Sequence, residues 1–96
     1  MTAQLRRYHI QAGRVDQFAT ERRDGVAPLR EKLGFRVTGW LVEDCDEFVW
    51  LLEHKDRESF EAADAAYYAS SERQNLQPNP ARLIDEARKD WVLTIF

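Results

Sequence analysis

Two neighbouring stretches, Phe35–Val42 and Glu47–His54, constrain the fold of this chain more than any other part of it. Both are dense in β-branched and aromatic residues. The polar run Glu43-Asp44-Cys45-Asp46 separates them, which predicts a hairpin of two strands. Strand side chains alternate between faces, so Phe35, Val37 and Leu41 lie on one side of the first strand and Trp40 and Val42 on the other. In the second strand Phe48, Trp50 and Leu52 oppose Val49 and Leu51. A sheet that is apolar on both faces needs cover on both. Helices supply one layer. A bare second face would exceed the apolar patch a soluble monomer exposes, and a second copy packed sheet against sheet is the economical cover. The expectation is a homodimer through the sheet face.

The rest of the chain supplies the helices and the outer strands. Ala3–Gln11 has strand character through Leu5, Tyr8 and Ile10. After Gly13, residues Val15, Phe18, Val26, Leu29 and Leu33 form one helical stripe with Arg22 in line, and Gly25 and Pro28 predict a kink within it. Gly34 suits the left-handed residue that ends a helix. Asp56 is an N-cap candidate for a second helix, with Glu58 in its first turn and an apolar stripe of Phe60, Ala63 and Tyr67. Asn79-Pro80 predicts the start of a third helix through Leu83, Ile84 and Ala87, and Trp91–Phe96 a last short strand. The order β-α-β-β-α-(α)-β is an α+β, ferredoxin-like pattern with an extra short helix before the last strand. It places both main helices on one face of a four-stranded antiparallel sheet.

Composition bounds the class. With 96 residues the chain makes one domain, 1–96, and its single cysteine forms no internal disulfide and fits a reducing compartment. No apolar run approaches the roughly 20 residues of a membrane-spanning helix, and Met1–Ile10 lacks a signal-peptide core, so a cytoplasmic location is expected. Residues 1–30 carry six Arg against three acids, but Arg6-Arg7 and Arg22-Arg23 stand apart and the net charge is −3, which argues against nucleic-acid binding.

Several segments in this order resemble the NIPSNAP family, within the dimeric α/β-barrel superfamily: Leu5-Arg6-Arg7-Tyr8-His9-Ile10 before Gly13, Gly34-Phe35 leading to Gly39-Trp40, Glu47-Phe48-Val49-Trp50-Leu51, and Ala65–Arg73. The resemblance spans essentially the whole chain, with Arg22 standing where such proteins tend to carry a large aromatic. It implies a dimeric barrel whose superfamily relatives include cofactor-free monooxygenases, isomerases and polyketide cyclases. It implies no shared catalytic set, and a reaction carried across would rest on analogy alone.

The candidate residues follow from their chemistry. His9 and His54 are the only histidines and titrate near neutrality, so each is a candidate base; the plainer reading is a solvated or backbone-bonded strand-end imidazole. Arg6 and Tyr8 share one side of the first strand and would hold a carboxylate, enolate or phenolate, or else belong to the core with Arg6 paired to an acid. Trp40 and Trp50 are candidates for an aromatic-substrate wall, against the commoner role of core or interface. Tyr67 and Tyr68, about 100° apart on a helix, place one ring inward and the other at a rim, where Arg73 and Asn75 would complete a polar lip. No metal set is present: two histidines and a cysteine among acids do not make a zinc site, and the acidic turn lacks a calcium-loop pattern. The scattered glycines form no phosphate loop, so no cofactor is expected. Two functions fit: a cofactor-independent enzyme of monooxygenase, isomerase or cyclase type acting on a small aromatic or polyketide-like acid, or a non-catalytic binding or accessory homodimer.

Overall fold

Side-chain alternation decides which faces of the sheet the helices cover. Residues 1–96 are described by a computed structural model. In it β1 (Thr2–Ile10) buries Gln4, Arg6, Tyr8 and Ile10 on one face and turns Arg7 and His9 to the other. Antiparallel pairing with β3 (Glu47–His54) sets Tyr8 opposite Phe48, Arg6 opposite Trp50 and Gln4 opposite Leu52, so all six share the inner face. The edge strand β2 (Arg36–Leu41) pairs with β3 through Val37–Leu52, Gly39–Trp50 and Leu41–Phe48. The order β2-β3-β1-β4, antiparallel throughout, is the ferredoxin-like arrangement.

The first helical region is not one regular helix. It runs as α1 (Val15–Glu21), a π segment (Arg22–Val26) and α2 (Ala27–Lys32). Pro28 has no N–H for the carbonyl of Asp24, and the strain is taken up by widening the preceding turn, with the Ala27 N–H reaching back to Arg22. The expected kink is therefore an inserted π turn. The consequence is a stripe of Phe18, Arg22, Val26 and Arg30, all buried against the sheet. The second layer element, α3 (Arg57–Ala69), is N-capped by Asp56, whose carboxylate accepts from the Ser59 N–H at 2.7 Å. It buries Phe60 and Tyr67. A single turn, α4 (Ser71–Gln74), follows, capped by the Ser70 hydroxyl.

The C-terminal third corrects the expected helix. Asn79 does cap and Pro80 does start a turn, but this is a 3-10 turn ending at Leu83. Ile84 and Ala87 lie in β4 (Ile84–Val92) instead. The free edge of β1 explains the difference: from Ile10–Ile84 to Ala3–Val92 it offers a row of backbone groups that a strand satisfies and a helix would not. The register ends at Val92, so only Trp91 and Val92 of the expected final strand are paired, and residues 93–96 carry no regular structure. The core packs Phe18, Phe35, Phe48, Trp50, Leu52, Phe60 and Leu83 between helices and sheet. No helix is long and apolar enough to cross a membrane.

The far face of the sheet carries no helix. Register places Leu5, Val49, Leu51, Trp40 and Val92 there, with Arg7, Glu47 and Arg88 around them. Trp40 is 48% exposed on this face.

Gly34 ends α2 at a φ of +91°, and a Cβ there would sit 2.9 Å from His54 Nε2. Gly34→Ala is expected to lose about 1–2 kcal/mol from the left-handed backbone alone, and more if His54 must move. Thermal unfolding followed by circular dichroism should show a midpoint lowered by about 4–8 °C per kcal/mol in a domain of this size.

Candidate functional site

Three elements send charged side chains into the space between helices and sheet. Arg6 from β1 and Arg30 from α2 are essentially fully buried, and both reach one oxygen of Asp64 on α3. Arg6 Nη2 donates to Asp64 Oδ1 at 3.1 Å, and Arg30 Nη1 donates to the same atom. Arg6 Nε donates to Gln4 at 2.7 Å, while the Arg30 guanidinium lies 3.8 Å from the centre of the Tyr67 ring. The Tyr68 hydroxyl receives Arg6 Nη1 and Arg30 Nη2, each at 3.4 Å. Burial alone would raise the Asp64 carboxyl, but Arg30 and Arg6 outweigh it and hold the group below the usual aspartate value. Burial likewise pushes the Tyr68 phenol up, and Arg6 and Arg30, with Lys89, bring it below the usual tyrosine value.

A third buried arginine has no such partner. Arg22, 8% exposed, stacks its guanidinium 4.0 Å from the Trp50 ring centre, with Tyr8 at 5.1 Å and Phe18 at 5.2 Å. Its Nε is buried without a hydrogen-bond acceptor, as is that of Arg30. Burial lowers its proton affinity and the nearby Arg30 charge lowers it further, opposed by the Tyr8, Tyr67 and Tyr68 phenols. Arginine nonetheless stays charged at neutral pH. The aromatic shell stabilises such a cation by about 2 kcal/mol when desolvated, less than an ion pair would return. Arg22 thus holds a charge with no acidic partner at the edge of an open space.

That space is a cleft of about 480 Å³ between the α1–π segment and the β2–β3 hairpin. Trp50, Phe48, Val37 and Leu41 form an apolar floor, and Ala19, Thr20 and Ala27 a roof of small side chains. Arg22 stands in its inner wall, with Asp16 and Arg23 at the solvent side. A smaller chamber of about 60 Å³ lies on the other side of Arg22, beside Arg30, Tyr67 and Tyr68.

The candidates read from sequence separate in space. His9 pairs with Glu47 and His54 with Thr2, so the two imidazoles lie on opposite faces and roughly 24 Å apart along the strands. His9 is exposed on the far face. His54 is held by backbone at both nitrogens: Lys55 N–H donates to Nδ1 at 3.0 Å, and Nε2 lies 3.0 Å from the Leu33 carbonyl, which it therefore donates to. Tyr8 and Arg6 do share the inner face, yet the Tyr8 hydroxyl accepts from Trp50 Nε1 at 3.1 Å and Arg6 is bound to Asp64. Trp50 floors the cleft; Trp40 borders it along the β2 edge while its ring belongs to the opposite face. Tyr67 is buried and Tyr68 lies 44% exposed at a rim with Arg73. Arg30 and Asp64 were missed at the level of sequence. Each had a signal: Arg30 follows Val26 by four residues on the buried stripe, and Asp64 precedes Tyr68 by four on α3.

No protein-family model matches the sequence, and no curated protein is significantly similar to it. Solved structures are similar in three dimensions. An uncharacterised NIPSNAP domain protein from Burkholderia xenovorans superposes with a TM-score of 0.87 at 18% identity, covering 98% of this chain and 94% of its own. A NIPSNAP family protein from Agrobacterium tumefaciens gives 0.85 at 12% identity over 99% and 94%. The chain has the fold of the NIPSNAP-domain proteins. An antibiotic biosynthesis monooxygenase also superposes, with a TM-score of 0.73 at 15% identity over 99% of both chains. Identities this low establish the shared NIPSNAP architecture and leave chemistry to be argued from the site.

In this NIPSNAP fold the Asp64 bridge should be pH-dependent in a defined direction. A depressed carboxyl stabilises the fold above its unfolded value, and that contribution disappears as pH falls through the lower folded value. Asp64→Asn is expected to lose about 1–3 kcal/mol at neutral pH, below the figure for a wholly dry pair because a quarter of the side chain meets solvent. Urea unfolding at stepped pH should show the gap between the two proteins beginning to narrow below about pH 4 and closing only once the folded wild-type carboxyl is itself protonated, below that pH.

Proposed function

We propose that the protein is of the NIPSNAP type and binds a small aromatic or polyketide-like acid in the cleft beneath its first helix. The observation that carries this reading is Arg22, a buried guanidinium without an acceptor at the inner wall of an aromatic-floored cavity. The apolar body of the ligand lies on Trp50 and Phe48, and its carboxylate or enolate completes the ion pair that Arg22 lacks. The volume of about 480 Å³ falls in the range of small-molecule sites, roughly 300–1,000 Å³.

Two uses of such a site differ in what the lining must supply. Non-catalytic binding by an accessory protein is favoured by the absence of imidazole from the cleft, since His9 faces away and His54 is bound by backbone. The second reading is cofactor-independent chemistry of monooxygenase, isomerase or cyclase type. It is supported by the likeness to an antibiotic biosynthesis monooxygenase and by the cationic wall, which would stabilise an enolate.

Binding is tested by quenching of tryptophan fluorescence on titration with 2-naphthoate. Saturable quenching is expected in the wild type, weakened at least about tenfold in Arg22→Met, the loss of one charged contact. The same substitution should raise folding stability by about 1–2 kcal/mol, because it replaces an unpaired buried charge by an apolar side chain of similar length. Equal naphthoate affinity in both proteins would refute the cleft reading.

The reading includes a homodimer through the far face. Leu5, Leu51, Trp40 and Val92, around the already buried Val49, form an apolar stripe there, and no helix of this chain covers it. Sedimentation of the wild type should give a dimer, and Leu51→Glu should weaken it by about a hundredfold or more through an unpaired buried charge. A wild-type monomer at micromolar concentration would remove this part of the proposal.

A further inference from the structure

The chamber behind Arg22 has a charge balance that the protein does not close by itself. Arg6, Arg22, Arg30 and Arg73 gather around Tyr67 and Tyr68, and the one carboxylate among them is Asp64. That carboxylate is shared by Arg6 and Arg30, leaving Arg22 and Arg73 without an acidic partner. Arg22 and Arg30 are each more than nine-tenths buried, and both carry a buried Nε with no acceptor. Like charges confined in a poorly hydrated space repel one another, and an unpaired buried donor is costly to leave unmet. An anion in the chamber would offset part of this cost.

The chamber is shaped for one. It is walled by Arg22, Arg30, Arg73, Tyr67, Tyr68 and Asn79. The Asn79 side-chain oxygen already accepts from the Ala81 N–H at 3.0 Å, so its NH2 is the group left to donate. Nearly every polar group facing the space is thus a donor. Its volume is about 60 Å³, and a water needs about 10–15 Å³, so a group of four or five heavy atoms fits.

We propose that this chamber is a second binding site, selective for a tetrahedral, doubly charged oxyanion of phosphate type, either inorganic phosphate or the phosphate group of a monoester. The excess of guanidinium over carboxylate favours a dianion over a carboxylate, and the size admits the head of a monoester while its body remains outside. The site goes beyond the cleft reading. Arg73, Tyr67 and Asn79 line the chamber and not the cleft, so the two sites are separable by mutation.

The test is calorimetric titration of the full chain with inorganic phosphate at constant ionic strength, repeated with phenyl phosphate and with benzoate. Arg73 has no ion pair and sits on the single turn α4, so Arg73→Ala should fold; circular dichroism checks this. Expected are saturable phosphate binding in the wild type, a Kd raised at least about tenfold in Arg73→Ala, and partial recovery in Arg73→Lys, which restores the charge without the fork. Thr20→Trp, which fills the cleft, should leave phosphate affinity within about twofold while abolishing naphthoate binding, so failure of one site is read apart from failure of the other. In the Thr20→Trp protein, tighter binding of phenyl phosphate than of phosphate identifies the monoester as the ligand form, and the reverse identifies the free ion. Benzoate binding as tightly as phosphate in the cleft-filled Thr20→Trp protein, no saturable phosphate heat across the millimolar range, or an Arg73→Ala protein indistinguishable from wild type would each overturn the proposal.

Discussion

One carboxylate oxygen, Asp64 Oδ1, joins the three parts of this domain: β1 through Arg6, the first helical region through Arg30 and α3 through Asp64 itself. Its position is what allows two guanidiniums to lie at the sheet–helix boundary, where an apolar side chain of similar volume would serve stability as well or better. The gain of such a bridge is directional. It fixes how both helices sit on the sheet, and with them the height of the cleft roof above Trp50. The aromatic rings complete the arrangement, since Tyr67 accepts the face of Arg30 while Trp50, Tyr8 and Phe18 surround Arg22. Remove the carboxylate and two cations remain with only ring faces, the Tyr68 hydroxyl and, for Arg6, the Gln4 side chain to stabilise them.

The π segment belongs to the same logic. An uninterrupted helix from Val15 to Lys32 would advance about 100° per residue, and Pro28 would leave the Asp24 carbonyl unserved. Widening one turn absorbs the proline and keeps Phe18, Arg22, Val26 and Arg30 along a single line facing the sheet. Arg22 is therefore held inward by the backbone path, without a hydrogen bond to hold it there. A side chain kept in an unfavourable place by its surroundings is the common signature of a functional position rather than a structural one.

Much of the architecture was legible in the order of residues. β3 has the boundaries its pattern implies, Asp56 and Asn79 cap as their types suggest, and the hairpin carries apolar residues on both faces. Ile84–Val92 was not legible as a strand, because Asp85, Glu86, Arg88, Lys89 and Asp90 have poor strand propensity. What makes that segment a strand is the unfilled edge of β1, a partner far away in sequence. The site was legible in part for the same reason. Arg6 with Tyr8 follows from alternation within one strand, whereas the bridge through Asp64 spans separations of 58 and 34 residues, where no local spacing rule reaches. The two histidines are the converse case: chemistry marked them, and register carried them to opposite ends and opposite faces of the sheet.

The two faces of the sheet divide the work that a small domain must do. The inner face carries the charged cluster and the cleft, and so gives up part of the apolar burial that a chain of 96 residues has available. Gln4, Arg6, Arg22 and Arg30 occupy positions where aliphatic residues would add to the core. The far face, with Leu5, Leu51, Trp40 and Val92, retains apolar surface that a single copy leaves partly unburied. Association through that face would return stability in the place where the site has withdrawn it. On this view a polar interior and an apolar exterior are one adaptation. The cluster can remain under-neutralised because the fold does not depend on it alone, and the open stripe is apolar surface that a partner would bury.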